Sequence, residues 1–112
     1  MVITTTEKIS GFRVDKVLGE VAGIVVRSRG IGGNITAGLR ALGGGEIVEY
    51  TRMLEDTRRQ AIDRMAANAQ ARGANAVIMM RFNSTVAGKT MSEIAAFGTA
   101  VTVRPEQTDD GA

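Results

Sequence analysis

Apolar and polar positions alternate along this chain with periods that predict an order of elements. The β-branched run "VITTT" (2–6) favours an extended backbone and predicts a short strand. "EKISGFRVD" (7–15) holds no sustained period and predicts a connector, with Gly11 permitting a turn. "KVLGEVAGIVVRSR" (16–29) predicts the longest strand. Val17, Val21 and Val25 fall on one face. Leu18, Ala22, Ile24 and Val26 fall on the other, with Glu20 interrupting. Both faces are largely apolar, so both are expected to be covered. The run is much longer than a usual strand of about 5–6 residues. It fits either a single strand bent at Gly19 or Gly23, or a strand that pairs in part outside its own protomer.

Asn34 can cap a short helix over 34–42, with Ile35, Leu39 and Leu42 on one side, ended by "GGG" at 43–45. The clearest helix spans 46–72. Ile47, Leu54, Ala61, Ile62, Met65, Ala66 and Ala69 form a stripe at spacings of three and four, and Gly73 suits the residue after the helix end. At 1.5 Å per residue this helix would run roughly 40 Å, enough to cross a sheet. "NAVIMMRFN" (75–83) and "MSEIAAFGTAVTV" (91–103) predict two further strands joined by a hairpin over 84–90. The expected architecture is α+β, one long helix packed on a mostly antiparallel sheet. Residues 1–104 form a single domain and 105–112 a polar tail.

Composition narrows the chemistry. The chain has no Cys, no His and no Trp, which removes thiolate and imidazole ligands and the commonest general base. Its formal net charge is +2, with basic residues scattered and few stacking aromatics, so no nucleic-acid partner is expected. No leader or membrane span is visible, and the expected location is the cytoplasm. The core must come from Val, Ile, Leu, Ala and Met. Such small side chains bury little area each, which favours further burial against copies of the chain.

The glycine-rich stretch "RGIGGNITAGLRALGGGEIVEY" (29–50) sits where a phosphate loop would sit. Gly30 and Gly32 begin a dinucleotide fingerprint, but Ile35 stands at its third glycine. Gly33 and Gly38 have P-loop spacing, but Leu39 and Arg40 replace the lysine and hydroxyl. Glu46 and Glu49 fill the first turn of the long helix, where an anion would otherwise bind. Gly32, Gly33, Gly43, Gly44 and Gly45 therefore read as a structural joint.

"GEVAGIVVRSR", "GGGEIVEYTRML", "RRQAIDRM", "GANAV" and "EIAAFGTAV" resemble, in order and spacing, the YbjQ-like family, a bacterial group labelled heavy-metal-binding. The resemblance covers 1–104. It implies a dodecin-subunit-like fold with extra strands for assembly, and a homopentameric ring in which stacking of rings is open. The metal label fits these residues poorly, because soft metals favour thiolate and imidazole. Met79 and Met80 are adjacent in a strand and point to opposite faces, while Met53 and Met65 lie far apart on the helix. Carboxylates repeated around a ring leave a divalent cation as the one cofactor to consider, with Glu46, Glu49 and Glu93 as candidate ligands. Glu93 is otherwise expected to pair with an arginine, Arg52 or Arg58. No catalytic residue is assigned. An enzyme built at subunit interfaces from Lys16, Tyr50 or Ser92 is the third reading, after an assembly or binding protein and a metal binder.

Overall fold

The computed structural model describes residues 1–28, 48–87 and 91–106. Within them lie β1 (Val2–Ile3), β2 (Phe12–Ser28), α1 (Val48–Ala71), β3 (Ala76–Ala87) and β4 (Met91–Pro105). The sheet order is β1-β3-β4-β2. β1 runs parallel to β3, and the β3–β4 and β4–β2 pairs are antiparallel. This is the expected α+β arrangement. The short helix at 34–42 and the glycine joint with Gly32, Gly33, Gly43, Gly44 and Gly45 lie outside the described residues.

Helix α1 packs on one face of the sheet. Ala61, Met65 and Ala69, four residues apart, are fully buried against Val21, Val25, Val77, Ala96 and Ala100. Alanine at two of those three helix positions lets the helix backbone approach closely, and Gly23 completes the approach. A Cβ at Gly23 would overlap the Ala61 carbonyl oxygen and the Met65 amide nitrogen. Gly23 is thus a crossing point for the helix rather than a bend. The helix ends where expected. Gly73, with φ +88°, lets its own amide reach the Gln70 carbonyl at 2.9 Å and the Ala74 amide reach the Ala69 carbonyl at 3.0 Å.

The elements differ from expectation at their ends. The first strand covers only Val2–Ile3; Thr4 and Thr6 instead share a hydroxyl hydrogen bond of 2.6 Å in a turn. Phe12–Asp15, expected in the connector, belongs to β2. β3 continues to Ala87 and β4 to Pro105, past the expected 83 and 103. Arginine, threonine and valine in these extensions are compatible with strand backbone, and pairing with a neighbour decided their state.

The face assignment along β2 also changes. Its register against β4 slips between Val14 and Lys16 and again between Val17 and Gly19. Asp15 and Leu18 are the extra residues, and each bulge shifts by one the facing of the residues beyond it. Gly19, at φ +104°, relieves the second bulge. Leu18 therefore packs with the helix-side core, and Val17 joins Ala22, Ile24 and Val26 on the face away from the helix. Among the described residues that second face is not covered as expected. Its end near β1 is roofed, where Ile9 and Val103 pack on Ala76, Ile78 and Val101.

β2 is also an edge strand, and the helix guards part of that edge. Arg64 donates to the Ile24 carbonyl (2.6 Å), Asn68 to that of Ala22 (2.8 Å), and Arg72 to that of Glu20. Four helical residues rise about 6.0 Å and two strand residues about 6.8 Å, so an i, i+4, i+8 row on an antiparallel helix keeps step with alternate carbonyls. The row occupies acceptors that an incoming strand would need. Asn68→Ala is expected to lower stability by about 1 kcal/mol, read as a drop of several degrees in melting temperature; an unchanged melting temperature would contradict this bond's role.

Candidate functional site

The molecule is long and thin, 66 × 27 × 16 Å, with a radius of gyration of 18.5 Å. A compact domain of this length would have about 13 Å. The difference comes from one helix covering one face of a sheet whose longest strand spans 17 residues. The uncovered face is the largest chemical feature of the described structure. Along β2 it presents Phe12, Val14, Val17, Ala22, Ile24 and Val26, with Glu20 the single charge among them. Val17 is 67% exposed, Val26 50% and Ile24 47%. The two bulges keep these apolar residues in phase on one face. Without them the strand would turn Val17 toward the helix and Leu18 toward water.

At the β1 end this face deepens into a groove of about 570 Å³, with Ile9, Phe12, Val14, Val17, Ile78 and Val103 among its walls. A second cleft, of about 330 Å³, lies on the helix side and is lined by Arg27, Arg52, Met53, Asp56 and Gln60. Its place is set by strand facing: Arg27 continues the Val21, Gly23, Val25 row beneath the helix. The Arg27 Nε is buried there with no hydrogen-bond partner among the described residues.

The carboxylates expected to matter are not brought together. Glu93 is half-buried on the face away from the helix, between Val26 of β2 and Thr85 of β3. Neither expected arginine reaches it. Arg58 lies on the helix side, its guanidinium 4.5 Å from the centre of the Phe82 ring, and Arg52 lines the helix-side cleft. The expected pairing fails on facing: both arginines lie on the helix side of the sheet, and Glu93 turns to the opposite face. Glu46 lies outside the described residues; Glu49 lies within α1, but its side chain is not described. Among the described residues no three Asp or Glu side chains gather as metal ligands.

The thioethers fit a metal no better. Met65 is fully buried as core, Met80 packs against the same cluster, and Met79 is 41% exposed. Met79 sits in the β3 bulge at φ +57°, and its amide donates to the Thr6 carbonyl at 3.1 Å. These methionines diverge, so the described donors do not make a soft-metal site.

Fold and surface together define a two-layer α+β domain with one apolar sheet face left bare and no gathered set of acid, base and nucleophile among the described residues. Residues 1–104 match the model of a family described as "Putative heavy-metal-binding". The chain belongs to this YbjQ-like family. A UPF0145 protein of Bradyrhizobium sp. (strain ORS 278) is 56% identical over 105 residues, covering 94% of this chain and 95% of the relative. One from Thermoplasma volcanium is 50% identical over 109 residues, covering 97% and 89%. The family therefore extends beyond bacteria to archaea. A solved protein of unknown function from Pediococcus pentosaceus, of the DUF74 family, shares the fold with a TM-score of 0.60 at 13% identity, covering 93% of this chain and 98% of the other. No helix among the described residues is long and apolar enough to cross a membrane.

Proposed function

We propose that this chain is a non-enzymatic assembly protein that works as a homo-oligomeric ring, with copies of itself as its partners. The observation that carries this reading is the bare face of β2, with Val17, Ile24 and Val26 each about half exposed or more. Exposed apolar stripes of this extent mark interaction surfaces. The stripe is kept in phase through two bulges, and bulges at defined positions are features of a fold rather than accidents. A partner layer on this face would supply the second side that the protomer's sheet lacks. The pentameric count comes from the family resemblance alone.

Two other readings draw less support. Cation binding by carboxylates repeated around the ring rests on Glu46, Glu49 and Glu93, and among the described residues no three Asp or Glu side chains gather in one protomer. An interfacial enzyme would need Lys16, Tyr50 or Ser92 at a pocket, and the groove beside Phe12 is lined by apolar residues with Glu7, Lys8, Arg13 and Glu106 instead.

Sedimentation equilibrium of the wild-type chain tests the proposal. The expected result is a mass several times the 11.8 kDa of one chain at micromolar concentration. A single 11.8 kDa species throughout that range would overturn it.

A further inference from the structure

The sheet has two long edges, and they are treated differently. On β2 the carbonyls of Glu20, Ala22 and Ile24 are taken by Arg64, Asn68 and Arg72, and the stretch before them carries both bulges. Capping and bulging are two ways in which proteins blunt an edge. β3 has neither on its far half. β1 pairs with it only at Ala76 and Val77, the backbone bonds from Thr4 and Thr6 reach Val77, Met79 and Met80 and no further among the described residues, and the Arg81 side chain donates to the Thr5 carbonyl. From Arg81 to Ala87 its pairing with β4 is regular, and "RFNSTVA" contains no Lys and no Pro. Among the described residues this is the one long strand edge with no protecting device.

The direction of its backbone groups is set by the rest of the sheet. The capped carbonyls at 20, 22 and 24 point outward, so Val21, Gly23 and Val25 bond inward to Gly98, Ala96 and Ile94. Phe97, Ala95 and Glu93 then bond to Arg81, Asn83 and Thr85. Phe82, Ser84 and Val86 are left with N–H and C=O groups aimed away from the sheet.

We infer that the β3 edge Arg81–Ala87 pairs antiparallel with the same edge of a second copy, about a two-fold axis at Ser84. The sequence of the edge suits its own reverse. In this register Phe82 stands opposite Val86 of the second copy, Asn83 opposite Thr85, and Ser84 opposite Ser84. Polar with polar, as at 83, 84 and 85, is a favourable cross-strand type. An isologous contact of this kind needs one surface that is complementary to itself. An unprotected edge needs an extended partner with free outward groups, and among the described residues β3 is the edge that offers one. The inference rests on the reading that the chain self-associates, but it concerns a different surface from the β2 face.

Because the chain has no cysteine, Ser84→Cys gives a single reporter. Paired residues exchanging hydrogen bonds have Cα atoms about 5.5 Å apart, inside the range of about 4.4–6.8 Å that a disulfide spans. Under copper–phenanthroline, Ser84→Cys is expected to form a covalent dimer at least tenfold faster than Ser10→Cys, an exposed control on the connector. Asn83→Cys and Thr85→Cys mixed in equal amounts are expected to cross-link to each other faster than either alone. If Ser84→Cys and Ser10→Cys react at equal rates while the wild-type mass is multimeric, the edge contact is overturned and the β2 face stands. A monomeric wild-type chain would remove both.

Discussion

Gly23→Val is expected to unfold the protein or to reduce its stability by about 3–5 kcal/mol, a large part of the 5–15 kcal/mol typical of a domain. At this position β2 meets the helix backbone itself. The atoms that a Cβ would strike belong to the Ala61 carbonyl and the Met65 amide, and Arg64 C lies 2.9 Å away. None of these can rotate aside as a side chain would, so relief requires moving the helix off the sheet. That would open the Ala61, Met65 and Ala69 contacts, the centre of the core. Gly73→Ala makes a useful contrast. Nothing lies within 4 Å of its added Cβ, and only its φ of +88° resists the change, so it is expected to cost about 1 kcal/mol. Urea denaturation separates the two. A Gly23→Val protein with a midpoint near that of wild type would refute the close helix crossing.

The second large effect is expected on assembly rather than folding. Val17→Lys with Ile24→Lys places two charges on the bare face of β2, at residues 67% and 47% exposed in the protomer. Their side chains face away from the helix, so the core on the other side is untouched and far-ultraviolet circular dichroism is expected to stay as in wild type. At an interface each lysine must be desolvated or displace the partner. About 2 kcal/mol per position is a typical cost for a central contact, which for two corresponds to roughly a thousandfold weaker association. Loss of helix signal together with loss of assembly would instead assign these residues to the protomer's own stability.

Much of this arrangement is legible in the sequence, and the gaps have physical causes. The stripe of small residues at 61, 65 and 69 marks the helix and its buried side, and Gly73 marks its end. These signals are local, with several agreeing residues per turn. The face of β2 is harder to read. A strict two-residue alternation puts Val17 with Val21 and Leu18 with Ala22. The apolar positions 12, 14, 17, 22, 24 and 26 break that alternation, and Gly19 beside a break is the sign of a bulge. The edge caps are less accessible still. Arg64, Asn68 and Arg72 read as a solvated polar face, and only the position of β2 at the sheet edge turns them into donors to backbone. Glu93 shows the same limit. A carboxylate in a partly apolar strand suggests an ion pair, but which arginine lies on its side of the sheet depends on facing, which no local pattern near Glu93 reveals.

The central claim is that copies of this chain cover the bare face of β2. Sedimentation equilibrium of the wild-type protein beside Val17→Lys/Ile24→Lys, at one micromolar concentration, tests it most directly. The expected result is a multiple of 11.8 kDa for wild type and, for the variant, a smaller folded species no larger than the two-chain unit that the β3 edge alone would hold. Equal masses for the two proteins, whether both assembled or both single, would contradict it.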